Sequence, residues 1–455
     1  MLYKNSDKGN NNSEVMLMSE NHKTAVSLWN AKEKLPSFSS LSGSIKTDVL
    51  IIGGGLAGLL TAYKLKEKGT DCVLAEKGRL MSGISGNTTA KITAQHGLVY
   101  HKLLKSFGKE KASQYLKMNL DAIEDYSRLA KKIHCDFERR DNYVYSTESK
   151  KKLCDEMNAL GILGYEAQLE RRLPIPVLTF GAVRFFNQAQ FNPVKFARGL
   201  LDGMKIYENT FVHEIEGTKV KTDEGEIKAE KIVVATHFPF INSHGLYFAK
   251  LYQHRSYVVA LSGAEKYDGM YVDDKKDGMS FRNYGDLLLL GGGDHRTGKK
   301  GGGWRELRNF AEKSYPSAKE EYHWAAQDCM SLDDVPYVGH YSKNTQEIYV
   351  ATGFNKWGMS GSMAAANVLA DMITEKDNEY EEFLSPSRSI MKPQLLLNGF
   401  ETAVSFLTPT KKRCPHLGCA LKWNSAEHSW DCPCHGSRFD EKGKLLDNPS
   451  NGNLC

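Results

Sequence analysis

One stretch, residues 48–76 (DVLIIGGGLAGLLTAYKLKEKGTDCVLAE), constrains the fold of this chain more than any other. Residues 49–52 are a short apolar run of the kind that forms a buried strand, and Gly53, Gly55 and Gly58 follow at GxGxxG spacing where a helix pattern begins. Each glycine has a physical reason. The first permits a tight turn, the second lets a pyrophosphate approach the backbone, and the third lets helix and strand pack closely, so that the helix N-terminus can hold phosphate. A second strand ends at Glu76, where a carboxylate accepts hydrogen bonds from a ribose hydroxyl. A lone GxGxxG is equally a glycine-rich turn. With both strands, the helix and the acid in order, the stretch reads as a dinucleotide site, and its spacing leaves the dinucleotide open.

The next segment, residues 83–89 (GISGNTT), offers small hydroxyl and glycine residues suited to a second loop against phosphate or isoalloxazine. Here the chain resembles the FAD-dependent oxidoreductases of the D-amino-acid-oxidase and glycine-oxidase type, over about residues 47–373. The resemblance implies an α/β fold in which a Rossmann-type FAD-binding domain (about 46–100, 190–245 and 330–383) carries an α+β substrate or cap domain (about 101–189 and 246–329). It implies FAD contacts from Gly53, Gly55, Leu56, Ala57, Gly58, Glu76 and Lys77, and from Ser85, Gly86, Asn87 and Thr88 in the second loop. Val212 is placed beside the adenine, and Gly353, Phe354, Gly358, Met359 and Ser360 in the turn over the flavin ring, where a helix N-terminus stabilises a reduced, anionic edge. Residues 231–236 form another buried strand that in the family usually ends in glycine; this chain has His237.

Strand signals at 257–261 and 287–290 read as the antiparallel sheet that roofs a substrate pocket. Arg282, His295 and Arg296 are the candidate catalytic and substrate-orienting residues, because the run 291–296 (GGGDHR) follows an apolar strand and can aim side chains at a small anionic substrate. A charged hairpin end is the plainer alternative. No protein acid or base is demanded, since a flavin accepts hydride at its own N5. Residues 100–132 read as amphipathic cap helices. His96 and His101 have the spacing of iron ligands in oxygenases, but Thr93 stands where that motif carries an acid, so polar histidines are the better reading. Cys329 is weighed as a covalent flavin anchor and set aside because its neighbours do not keep the spacing.

With 455 residues and 41 % hydrophobic composition the chain can bury two or three cores. Its 60 basic and 55 acidic side chains leave a net charge of +5, too small an imbalance to argue for nucleic acid or a membrane surface. Residues 1–45 read as a polar leader, disordered over the first 20 or so, without a signal-peptide core. Nowhere do about 18 apolar residues run together, so no transmembrane segment is expected and the protein is read as cytoplasmic.

The second strong signal lies beyond a Pro- and Ser-containing linker at 384–400. Cys414 and His416, fifteen residues, then Cys432 and His435, form paired Cys-x-His and Cys-x-x-His sets. Structural zinc uses the same ligand types. The flanks, Leu417-Gly418-Cys419 and Gly436-Ser437, resemble both boxes of the Rieske iron–sulfur module, a small all-β unit taken as residues 401–455. That resemblance implies a [2Fe-2S] cluster with two thiolates on one iron and two imidazoles on the other, and a disulfide between Cys419 and Cys434. Phe439 stands where high-potential members have a tyrosine donor, while the Ser437 donor is retained. The module is short, so the flavoprotein body must support it or metal and disulfide must hold it.

The whole chain thus resembles bacterial glycine-oxidase-type flavoproteins fused to a Rieske module. The expectation is a dehydrogenase that oxidises a small substrate, an amine or amino acid, and passes electrons singly through the cluster to an acceptor protein or quinone. The alternative is an electron-relay or redox-sensing protein without a small substrate. Lys411, Lys412 and Arg413 precede the first ligand and suit an acidic carrier, although such runs are more often solvated loops.

Overall fold

A computed structural model describes residues 25–241 and 244–454. The expected disordered start of the leader lies outside the described residues. Three sheets organise the described chain. In the first, Thr345–Thr352, Gly225–Val234, Gly43–Ile52, Cys72–Ala75 and Lys205–Tyr207 run parallel in that order, with Tyr337–Ser342 antiparallel at one edge. The central strand ends in Val49–Ile52, all buried, as befits a parallel strand covered on both faces.

Leu56–Glu67 follows the glycine turn and packs on Gly358–Ile373, a helix built largely from alanine, methionine and other compact residues that lets the two approach. Gly53 sits at φ +115, and a Cβ there would lie 2.5 Å from the Ala235 carbonyl oxygen, so the turn tolerates only glycine. Pro193–Leu200 returns the chain to this domain; Pro193 opens it, and the Asn192 side chain accepts from the Val194 and Lys195 N–H groups.

The second, larger sheet is mostly antiparallel and contains the expected strands as Tyr252–Ser262 and Leu287–Arg296, flanked by Lys319–Met330 and Ser280–Tyr284. Tyr100–Ala130 is the cap helix, broken at Gly108. The third sheet is the C-terminal one, four short antiparallel strands: Lys422–Asn424, Ser429–Asp431, Arg438–Asp440 and Leu445–Asp447.

Two sequence boundaries are redrawn. Part of the leader is built into the body, since Ser27 caps the helix Leu28–Lys32 and Leu28 and Trp29 are fully buried. The segment read as a linker becomes helical at Pro393 and stays so to Leu407, across the boundary expected at 400. Pro393 opens that helix, a first position at which its missing N–H costs nothing. No helix among the described residues is long and apolar enough to cross a membrane.

Candidate active site and metal centre

A cavity of about 560 Å³ runs from the glycine turn, under the second sheet, to the C-terminal module. Of the residues expected to touch FAD, Gly53, Gly55, Leu56, Ala57, Glu76 and Lys77 line it at one end. Ser85, Asn87, Thr88, Val212, Phe354, Gly358 and Met359 line it further along. Gly58, Gly86, Gly353 and Ser360 stand behind the wall. A Cβ on Gly58 would overlap the Gly53 carbonyl, which is the close helix–strand approach its spacing suggests. Ser360 donates to the Thr93 carbonyl and meets His96 Nε2 at 2.9 Å.

The cradle fits an anionic dinucleotide. Leu56–Glu67 has no side-chain N-cap, and its first N–H donates to Ser85 Oγ at 2.9 Å, drawing the second loop over the helix N-terminus. Glu76 accepts from the N–H groups of Gly54 (2.6 Å) and Gly78 (2.9 Å), which fixes its carboxylate beside the turn. The second loop is held from behind by its carbonyls. Ser27 Oγ donates to Gly86, Trp324 Nε1 to Asn87, Trp29 Nε1 to Thr88, and Arg282 Nη1 to Thr89 and Ala90. Five successive carbonyls are thereby turned away from the cavity.

Replacing Glu76 by alanine is expected to weaken FAD retention roughly 10- to 100-fold, the worth of about 1.5–3 kcal/mol for hydrogen bonds to a charged group. Equilibrium dialysis of FAD against the folded variant checks this; unchanged affinity would remove Glu76 from the site.

The pocket residues chosen from sequence are corrected by the structure. Arg282 is fully buried under the second loop, clamped on its two carbonyls, and does not reach the cavity. His295 turns to the Tyr257 hydroxyl (3.0 Å), and Arg296 donates to the carbonyls of Pro433 and Cys434 in the C-terminal module. The reason lies in the glycines before them. Gly292 at φ +154 and Gly293 at φ +64 break the two-residue alternation, so it is Asp294 that faces the cavity.

Asp294 is paired with Lys356, and Asp328, accepting from Ser256 Oγ at 2.8 Å, lies in the same field. Burial raises both carboxyls, and Lys356 opposes the rise. Lys91, between Thr89 Oγ1 (3.2 Å) and Ser280 Oγ (3.3 Å), is pulled down to about 7 by burial and then by Arg282. With Lys276, this end of the cavity carries both charge signs. Sequence reading missed these side chains, because they come from separate segments with no common spacing.

His96 lines the cavity, stacked on Trp357, and burial lowers its pKa to about 3; His101 is exposed on the cap helix, so the two do not converge on a metal. Cys329 also lines the cavity. Burial pushes its thiol up to about 12, away from the thiolate that covalent attachment to a ring requires.

The four expected cluster ligands are brought together by two loops of matching design. Gly418 N–H donates to the Cys414 carbonyl and Gly436 N–H to that of Cys432, with both glycines left-handed at φ +78 and +87. Cys414 N–H then closes on the Cys419 carbonyl and Cys432 N–H on that of Ser437, each at 2.8 Å. The Cys414 and Cys432 thiols are buried neighbours that shift each other, Cys432 holding that of Cys414 below its ordinary value and Cys414, with burial, raising that of Cys432. The rings of His416 and His435 lie 5.0 Å apart, and His435 Nδ1 is buried with no hydrogen-bond partner among the described residues. Two neighbouring cysteine sulfurs beside two imidazoles is the donor set of a Rieske cluster. Cys419 and Cys434 form a disulfide beside it.

Phe439 is fully buried among these sulfurs. Its replacement by tyrosine is expected to raise the cluster potential by roughly 40 mV, taking one hydrogen bond as ~1 kcal/mol. Redox titration of the purified variant measures the shift; an unchanged or lower potential would contradict it.

The module is docked on the body, and its ligand His435 faces inward. Gln253 Nε2 donates to the His435 carbonyl (2.7 Å) and its Oε1 meets cavity-lining His237 Nε2 at 3.2 Å. Gln327 donates to Gly436 at 2.8 Å. His237, where the family usually has glycine, is held at φ +68, a left-handed strain kept at the junction of cavity and module. Leu445, Asp447 and Asn448 of the module line the cavity themselves.

Residues 48–372 match the family described as FAD dependent oxidoreductase (DAO), and residues 405–454 match the Rieske [2Fe-2S] domain. YhfW of Bacillus subtilis, named as a Rieske 2Fe-2S iron-sulfur protein, is 33% identical over 485 residues, covering 93% of this chain and 95% of its own. Gamma-glutamylputrescine oxidoreductase of Escherichia coli is 23% identical over 383 residues, covering 77% of this chain and 89% of its own. The crystal structure of glycine oxidase from Geobacillus kaustophilus superposes with a TM-score of 0.63 at 20% identity, covering 76% of this chain and 99% of that one, a likeness of fold.

Proposed function

Because the chain belongs to the DAO family of FAD-dependent oxidoreductases and carries a C-terminal Rieske [2Fe-2S] domain, we propose that it is a dehydrogenase for a small amine or amino acid whose electrons leave singly through the cluster. Bound FAD supplies hydride acceptance and the cluster one-electron transfer. The chain's own residues supply position. The observation that carries the reading is the run from cavity-lining His237 through Gln253 to the His435 carbonyl, in a cavity walled partly by the cluster module itself.

At the other end, Asp294 and Asp328 suit a substrate ammonium, and Lys91, Lys276 and Lys356 a carboxylate or other anion, which favours a zwitterion or amine over an apolar substrate. Lys91 is cationic below its lowered pKa of about 7, so binding of an anionic substrate group is favoured at and below neutral pH. The acceptor is a one-electron carrier protein or a quinone. We assign the protein to the cytoplasmic compartment, in keeping with its unpaired thiols at Cys72, Cys135 and Cys329.

An anaerobic screen of amines and amino acids is expected to bleach the flavin with one compound class only. If no member of either class does so while reduced carrier proteins reduce the flavin, the electron-relay reading replaces this one.

A further inference from the structure

The helix Pro393–Leu407 is turned inside out. Its polar residues Asn398 and Ser405 are the buried ones: Asn398 Oδ1 accepts from Arg296 Nη1 at 3.0 Å, Ser405 Oγ faces the Ala420 carbonyl at 3.4 Å, and Glu401 pairs with Lys299. Most of its bulky apolar residues point outward. Leu396, Leu397, Phe400, Val404 and Leu407 are between 44% and 83% exposed and fall on one stripe at spacings of three and four along the helix. A water-facing helix shows the opposite arrangement, and an exposed apolar stripe of this length marks a contact surface.

The helix that carries the stripe is tied to the first ligand loop. The Phe406 ring lies 3.4 Å from the Cβ position of Gly418, and the Arg413 guanidinium ties the helix end to the ligand loop, donating to the carbonyls of Thr408 (3.2 Å) and Gly418 (2.9 Å). Leu417, next to the ligand His416, is also exposed. Just beyond the helix, Lys411, Lys412 and Arg413 are exposed with no acidic residue among them. At fifteen residues the helix is too short to span a bilayer, and its stripe with a cationic end has the form of a helix lying in the interface.

We propose that this helix is a docking site for an anionic lipid bilayer, with Leu396, Phe400 and Leu407 in the acyl boundary, the basic run on lipid phosphates, and the loop that carries His416 held at headgroup depth. The small net charge of the whole chain hides this local run. The ligand loops at that depth would hold a one-electron centre near quinones dissolved in the bilayer, which take two electrons one at a time and two protons from water; that consequence alone rests on the electron exit proposed above.

The test is sedimentation of the full-length protein, loaded with FAD and cluster, with vesicles of phosphatidylglycerol and phosphatidylcholine in equal parts, and with vesicles of phosphatidylcholine alone. The parent is expected to bind the anionic vesicles. The Leu396→Glu, Phe400→Glu double variant should lose at least tenfold in binding with unchanged flavin and cluster absorbance, and Lys411→Glu, Lys412→Glu should weaken binding and flatten its salt dependence. A parent that ignores anionic vesicles, a double variant that binds as the parent does, or a parent that instead forms a dimer abolished by the double variant would each overturn the proposal. Because binding is read without turnover, its failure leaves the electron exit standing.

Discussion

Replacing Cys432 by serine is expected to abolish the protein's reduction of one-electron acceptors while leaving anaerobic reduction of its FAD by substrate nearly unchanged. Cys432 is a buried sulfur whose cysteine neighbours outside the ligand set, Cys419 and Cys434, are tied to each other in the disulfide and so do not replace it. The flavin end is built from other segments, the glycine turn and the carbonyl-clamped second loop, and it folds around contacts that do not involve Cys432. Acceptor turnover should fall by roughly 100-fold or more, since losing a mere outer-shell partner of a metal ligand already costs about 10- to 100-fold. Rapid-mixing absorbance at the flavin band, paired with steady-state acceptor assays, separates the two steps. Parent-like acceptor rates would mean that the flavin discharges directly and the module does something else.

The second large effect lies at the seam between module and body. Glu427 is nearly buried and accepts from Arg255 Nε (2.9 Å), Arg438 Nη2 (2.8 Å) and the Tyr257 hydroxyl (3.1 Å). Arg438 also reaches Asp431 and Asp447, each at 3.0 Å. Glu427→Ala leaves two buried guanidinium groups short of a partner and is expected to cost about 3–5 kcal/mol. Denaturant unfolding, with limited proteolysis within 385–392 as a probe of undocking, measures it; a loss below about 1 kcal/mol would show that the seam is held elsewhere. Burial raises the Glu427 carboxyl, but Arg255 and Arg438 outweigh it and hold the group below its ordinary value. Its contribution is therefore full above the ordinary carboxylate pKa and fades as pH falls through the lowered one. The seam should loosen in acid and be indifferent to pH near neutrality.

The parts of this fold that were legible in the sequence are those whose geometry is local. The glycine turn needs Gly53, Gly55 and Gly58 within six residues, and each ligand loop needs its cysteine, histidine and left-handed glycine within one turn, so spacing together with the immediate flanks exposes them. The charged end of the cavity was not legible, because Lys91, Lys276, Asp294, Asp328 and Lys356 meet only through the second sheet. Within the run 291–296 the alternation that would have named the inward residue is broken by the backbone of Gly292 and Gly293, so His295 and Arg296 were chosen and Asp294 passed over. Ser27 and Trp29 lie in a stretch that reads as polar leader, and their role depends on carbonyls 59 residues away. The Pro393–Leu407 stripe has helical spacing in the sequence, but its polarity is inverted relative to the body, a fact visible only once the buried face is known.

The central claim, that substrate electrons leave through the cluster, is tested most directly by mixing intact protein anaerobically with a substrate from the screen and no acceptor, and following flavin absorbance and the paramagnetic signal of the reduced cluster together. The account predicts flavin bleaching first, then cluster reduction at a rate that does not change with protein concentration, because the module is docked on the body through Gln253, Gln327 and Arg296. A cluster that stays oxidised through complete flavin reduction, or one reduced at a rate proportional to protein concentration, would contradict it.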